Sequence, residues 1–320
     1  MNFSSLITEF QASIKSPDTE EKLDLLIYRP LGFIIAKISH MMKLTPTMLS
    51  LAGVMSGFIA AYLYLDLYNT SSLVIASLLF VLSGVFDSAD GQLARISNQS
   101  TKLGLILDGI CDSLVMIAIY FSASLPFLMA YGWPFALFIA GGLWVHSCQS
   151  SLVDFYHREY MFFGYGKTED DAYWNMTIQE AENRIDQSSS RKERLFRKAH
   201  FGWIRQQQIL TTRHNDVRFK MREILLGPDE TKKQLLKQAY RKHNISMLPL
   251  WRLLGPNFHT IMMITFIFLH RFDLYLLIID FIALNLVVVI VGMIQRKRDE
   301  KMLKELGLGD LSSPRKQEAQ

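Results

Sequence analysis

Residues 86–113 read "FDSADGQLARISNQSTKLGLILDGICDS" and carry Asp87, Asp90, Asp108 and Asp112. The first two lie three apart and the second two lie four apart, so each pair shares one face of a helix. Long apolar runs flank the stretch on both sides. A carboxylate at bilayer depth is costly unless it is paired or bound. The first pair ends one apolar run, the second pair opens the next, and the connection 91–103 brings the chain back antiparallel. All four carboxylates then meet at one end of a two-helix hairpin. Arg95 supplies a single cation, which is too little to compensate them. Hard oxygen ligands of this kind suit Mg²⁺ or Mn²⁺. Zinc is disfavoured, because no His or Cys belongs to the pattern. Gly91 and Ala94 follow Asp90, and Gly104 lies one turn before Asp108, so backbone is open to a bulky ligand beside the acids. Such a face is a cradle for a metal-bound diphosphate with a nucleoside next to it.

The elements that must hold this cradle follow from the apolar pattern. The chain has 320 residues, half of them hydrophobic, and a mean hydropathy of +0.15. Its apolar residues are concentrated near 48–87, 103–152 and 256–294, the layout of a polytopic membrane protein. Six spans are expected, at about 48–66, 72–87, 103–123, 131–152, 256–270 and 273–294, the second and fifth being short for a crossing of about 20 residues. The connections "LDLYNTSS", "SASLPFLMAYGW" and "HRFD" carry few charges. The opposite side carries Lys37, Lys43, Arg95, Lys102, a long basic segment and "QRKRDEK". The positive-inside rule then puts both termini and the site on the cytoplasmic side of an inner or cytoplasmic membrane. The N-terminus lacks the basic start and apolar run of a secretory signal, so the first span is expected to be internal and retained.

Five segments are expected: 1–47, a cytoplasmic N-terminus with an interfacial helix; 48–154, four spans with the acidic motif; 155–252, a basic helical cytoplasmic insertion; 253–294, two spans; and 295–320, a cytoplasmic tail. Residues 30–43 read as a helix lying in the membrane surface, and Pro46 in "LTPT" sits in the first turn of the first span. Gly53 and Gly57 form a G-x-x-x-G, a signal for close helix approach, read here as packing within one subunit rather than dimerisation. In the insertion, Thr177 and Glu180 have capping-box spacing. Residues 227–243 read as a helix with acids in its first turn. Basic helices invite a nucleic-acid reading, but no such motif is present and acids are interleaved, so contact with anionic lipid fits better. Cys111 and Cys148 have no disulfide or zinc spacing and read as small buried hydrophobes.

The full pattern is Asp87-x-x-Asp90-Gly91-x-x-Ala94-Arg95, then eight residues, then Gly104-x-x-x-Asp108-x-x-x-Asp112. It resembles the complete signature of the CDP-alcohol phosphotransferase family, and the surface helix, the Thr45-Pro46 start and the six spans resemble the family core. The insertion of about 90 residues between spans four and five departs from simpler members. The resemblance implies an all-α integral membrane enzyme that transfers a phosphoalcohol group from a CDP-linked alcohol to a second alcohol and releases CMP. By that resemblance Asp87, Asp90 and Asp108 ligate two Mg²⁺ or Mn²⁺ ions, and Asp112 completes the metal site and serves as general base. The CDP site is then Asp87, Asp90, Gly91, Ala94, Arg95, Gly104 and Asp108. A homodimer is a further implication.

The second alcohol is less sharply marked. Asp154 and Arg158 lie four apart and share a face with Ser147 and Ser151. Phosphatidylinositol-phosphate synthase members of the family place arginines near here, which implies that Arg158, with Asp154 and His157, meets a phosphorylated acceptor. An ordinary ion pair at a helix end is the other reading of Asp154 and Arg158. Arg252, Asn257 and His259 are candidates for the same cavity, or for anchors at the interface, and Trp133 and Trp251 read as interface belt residues. CDP-diacylglycerol is the favoured donor. A CDP-linked small alcohol, such as CDP-inositol or CDP-ethanolamine, with diacylglycerol or ceramide as acceptor, is the alternative. A transporter with an acidic cation site would place charges mid-span in inverted repeats, a pattern this sequence lacks.

Overall fold

A computed structural model describes residues 3–14, 20–99, 102–166, 183, 194, 198, 205–207, 209–211 and 215–308. The described residues form helices and connecting turns, with no strand among them. The chain divides into two compact units, Met1–Val145 with Asn257–Ile282, and His146–Pro256 with Ala283–Gln320.

The first unit opens with α1 (Phe3–Ser13), a π-helical turn (Asp24–Tyr28) and α2 (Arg29–Met41). Then come α3 (Pro46–Leu63), α4 (Thr70–Ile96), α5 (Lys102–Tyr131) and α6 (Pro134–Tyr165), whose first part, to Val145, belongs to this unit. Pro30 and Pro46 sit in the first turns of α2 and α3, where a missing N–H costs nothing. Asn69 starts α4 by accepting from the amides of Ser71 and Ser72.

The hydrocarbon interior offers no water to the backbone, so packing and shared carbonyls hold these helices together. The Ser83 hydroxyl donates to the Gly53 carbonyl, and the Ser56 hydroxyl to the Leu79 carbonyl, each at 2.8 Å. A Cβ on Gly57 would stand 2.5 Å from a Val115 methyl, so α3 meets α5 at a point where only hydrogen fits. The G-x-x-x-G thus packs within one chain.

Several helix ends differ from expectation. The run expected to end near residue 87 continues as α4 to Ile96, so both aspartates and Arg95 ride on one unbroken helix. "SASLPFLMAYGW" is largely helical, because α5 runs through Pro126 to Tyr131 and only Gly132 and Trp133 separate it from α6. An apolar segment without water satisfies its carbonyls best as helix, and membrane helices tolerate proline. Among the described residues, five helices are long and apolar enough to cross a membrane: Pro46–Leu63, Thr70–Ile96, Asp108–Tyr131, Pro134–Tyr165 and Phe272–Glu305. The expected fifth span is a helix of only 13 residues, Pro256–Phe268. That is about 20 Å long, short of a hydrocarbon layer of about 30 Å. His259 on this helix is buried, its Nδ1 2.8 Å from the Tyr275 hydroxyl, in a cluster where Tyr120 donates to Asp280.

In the second unit, α7 (Asn215–Leu226), α8 (Glu230–Asn244) and α9 (Leu248–Trp251) follow the end of α6. With α10 assigned to Pro256–Phe268, α11 is Phe272–Glu305, π-helical over Tyr275–Ala283, and its part from Ala283 belongs here. The expected helix at 227–243 is α8, capped by Asp229, which accepts from the Lys232 amide. Thr177 and Glu180 lie outside the described residues.

The core of this unit is partly polar. Arg218 donates to Glu159 at 2.6 Å, both buried, and the Tyr240 hydroxyl donates to the other Glu159 oxygen at 2.9 Å. Burial pulls the Arg218 pKa down, but the Glu159 carboxylate outweighs it and holds the guanidinium above its ordinary value. Trp251 is no belt residue. It is 1% exposed, stacks on Tyr156 at 3.7 Å and donates to Gln295, because the tail of α11 presents a polar partner there.

Two outcomes follow from this packing. Gly57→Ala should cost about 1–3 kcal/mol by overpacking, seen as a lower thermal midpoint in detergent, and Val115→Ala in the same chain should recover most of it. Arg218→Met leaves Glu159 buried and uncompensated, at a cost of about 3–5 kcal/mol. Arg218→Met with Glu159→Gln should melt higher than Arg218→Met alone.

Candidate active site

The acidic cradle lies wholly within the first unit. Helix α3 packs against both α4 and α5, and this brings the two aspartate pairs together. Asp87, Asp90 and Asp108 each place a carboxylate oxygen within 4.8 Å of the others. Asp87, Asp108 and Asp112 line one pocket. Ser50, one turn into α3, donates to Asp90 at 2.5 Å. A pocket lined by Ser50, Gly53, Val54, Ser83, Cys111 and Val115 holds all four aspartates. Cys111 is a half-buried wall of this pocket.

Three carboxylates this close repel by about 3 kcal/mol per pair at an effective dielectric of about 20. The sum is comparable with the whole stability of a typical domain, about 5–15 kcal/mol. The donor set is all oxygen, clustered and partly screened from water. It fits a hard divalent cation and offers no soft ligand.

The remaining motif residues flank the acids. Gly91 lies under the Arg95 side chain, since a Cβ there would stand 3.6 Å from both Nη1 and Nη2. Arg95 Nε donates to the Ser13 carbonyl at 2.6 Å. Its Nη2 is shielded from solvent and has no hydrogen-bond partner among the described residues. Ala94 is half-buried on α4, as is Gly104 on α5.

Sequence reasoning missed two residues. Ser50 is one, and Arg29 is the other. Arg29 is fixed by Glu20 through Nε and Nη2, both at 2.9 Å, and its Nη1 donates to Ser88 at 3.3 Å. Its positive charge acts on Asp87. Arg95 is therefore not the single cation near the acids. The signal available was the Arg29-Pro30 start of a helix beside an acidic stretch.

The candidates for the second alcohol divide. In the second unit, Asp154 and Arg158 form an i,i+4 ion pair with Arg158 Nε 3.1 Å from Asp154 Oδ1, and Gln207 donates to the Ser151 carbonyl beside them. His157 is half-buried on the same helix. In the first unit, Asn257 donates to Glu21 and Asp24, each at 2.8 Å.

Residues 43–160 match the family model described as CDP-alcohol phosphatidyltransferase. A phosphatidylinositol phosphate synthase of Corynebacterium glutamicum is 32% identical over 106 residues, covering 33% of this chain and 47% of that protein. A phosphatidylinositol phosphate synthase of Mycobacteroides abscessus is 32% identical over 89 residues, covering 28% of this chain and 38% of that protein. The chain thus spans less than half the length of these curated relatives. No solved structure matches it. The matched segment holds both aspartate pairs and the helices that position them, so the chain is an integral membrane protein that is similar to the CDP-alcohol phosphatidyltransferase family over residues 43–160.

Proposed function

We propose that this protein is a CDP-alcohol phosphotransferase of phospholipid synthesis. The observation that carries the reading is the convergence of Asp87, Asp90 and Asp108 in one pocket, with Asp112 on its wall. Asp87, Asp90 and Asp108 hold two Mg²⁺ or Mn²⁺ ions, and Asp112 lies beside them. Metal held by these carboxylates would supply positive charge to the donor diphosphate and to the departing CMP. Gly91, Ala94 and Gly104 leave room for the nucleotide against backbone, and Arg95 offers its Nη2 donor to it. Asp112 takes the proton from the attacking hydroxyl. The new P–O bond forms to that oxygen as the bond to CMP breaks, and CMP leaves with the electron pair.

CDP-diacylglycerol is the donor in this reading, with its tails in the bilayer. The names of the two relatives make a phosphorylated inositol the first acceptor to try, with Arg158 and His157 as its recognition residues. Six crossings put both termini and the site on the cytoplasmic side, α10 serving as the short fifth span and 155–252 as the inserted cytoplasmic domain. Two copies pairing in the membrane complete the assignment.

Two experiments test this. Purified protein should release CMP from CDP-diacylglycerol only with Mg²⁺ or Mn²⁺ and an acceptor chosen from inositol-1-phosphate, inositol, glycerol-3-phosphate and serine. Asp112→Asn should lower kcat at least 100-fold, the lower bound of the contribution of about 10²–10⁴ from a positioned base. No release with any acceptor, or with CDP-inositol or CDP-ethanolamine and a lipid alcohol, refutes the assignment. In a second experiment, Mn²⁺ should raise the thermal midpoint of the wild-type protein. Asp108→Asn should melt higher than wild type without metal, since one repelling charge is gone, and should lose most of the Mn²⁺-dependent rise.

A further inference from the structure

Four contacts join α1 to the motif-bearing end of α4 and to α2. The Ser13 carbonyl accepts from Arg95 Nε at 2.6 Å, and the Ser13 hydroxyl accepts from Gln92 Nε2 at 3.1 Å. Phe10 meets Phe33 edge-on, with centroids 5.4 Å apart. Glu9 forms an ion pair with Lys37. Ser13 is 1% exposed and Gln92 is fully buried, so the junction is built rather than grazing.

The consequence falls on Arg95. A guanidinium is planar and carries its donors in a rigid fork. Fixing Nε on one acceptor therefore aims the two terminal nitrogens together. That acceptor is a carbonyl at the C-terminal end of α1, where the helix dipole concentrates negative charge. It draws a cation more strongly than an isolated carbonyl would. The guanidinium then lies over Gly91, with Nη2 shielded and free of partners among the described residues. Without α1, Arg95 would lose its anchor and fall back on solvent. Simple cover for apolar surface on α2 explains the Phe10–Phe33 contact but not two polar bonds from one residue to two positions of the motif segment.

We propose that α1 is a positioning element of the donor site. Through the Ser13 carbonyl it holds Arg95 over Gly91 and so sets the affinity for the CDP moiety. The proposal rests on the phosphotransfer reading given above. It concerns substrate binding more than the chemical step, so KM and kcat should separate.

The test uses the full chain in lipid nanodiscs, with steady-state CMP release at varied concentrations of the CDP-linked donor. Phe10→Asp places a charge where α1 meets Phe33, and Glu9→Lys sets two cations together at Lys37. Phe10→Asp/Glu9→Lys should raise KM for the donor about tenfold, with kcat held within twofold. That ratio corresponds to about 1.4 kcal/mol, the scale of one oriented charge-assisted hydrogen bond. Glu9→Lys alone should raise KM by about threefold, and Glu9→Lys/Lys37→Glu should return it to near the wild-type value, since neither residue touches the pocket. An unchanged KM in Phe10→Asp/Glu9→Lys overturns the role given to α1. So does a fall in kcat at constant KM, the mark of a smaller folded fraction. CMP release by the wild-type protein reports the underlying reading separately, and if it is absent both fall.

Discussion

Repulsion among carboxylates is the constraint on which the first unit depends. Oxygens from Asp87, Asp90 and Asp108 within 4.8 Å of one another push α4 and α5 apart whenever no cation stands between them. The opposing grip comes from α3. Its Gly57 meets Val115 of α5 at hydrogen-only distance, and the Gly53 carbonyl takes a hydrogen bond from Ser83 of α4. One helix thus clamps both arms of the hairpin, one turn or two from the acids. Ser50 of the same helix reaches Asp90 itself. A site built on packed helices is held more tightly than one on loops, and a cluster of like charges has particular need of that.

The motif and its hairpin were legible because carboxylates in apolar runs are conspicuous and their spacing matches helical periodicity. The start of α3 at Pro46 and the cap of α8 at Asp229 were equally open to reading, since both signals are local. Helix ends were not. Ser, Pro and Gly near 122–132 read as a loop by rules that assume water, and α5 passes through most of them. The shortness of α10 was legible in its brief apolar run, which continues to Leu269 before His270 takes a left-handed conformation that ends it. Arg29 and Ser50 were missed for another reason. Their partners Ser88 and Asp90 lie 59 and 40 residues away, and nothing in the local sequence announces either contact.

The second unit is held together by different means. Its buried Glu159 is shared between Arg218 and Tyr240, and Asp299 is shared between Asn244 and Gln295. A buried ion pair adds little net stability over an apolar pair of the same shape, but one geometry satisfies it and most others do not. Such pairs favour a single arrangement of α6, α7 and α8 over the many that apolar contacts alone would permit. Sequence reasoning saw the charge of this region and assigned it to a surface, because a lone basic segment does not reveal which of its cations turns inward.

The burial of Trp251 gives the protein an internal optical marker. The chain has five tryptophans. Trp133 and Trp144 are 75% and 64% exposed on segments apolar enough to face lipid, whereas Trp251 is stacked on Tyr156 and bonded to Gln295. Brominated acyl chains quench indoles that they can touch. In a chain with Trp174 and Trp203 replaced by phenylalanine, they would silence Trp133 and Trp144 and leave the emission of Trp251, so the packing of the second unit can be followed by its own light while the protein stays in a bilayer.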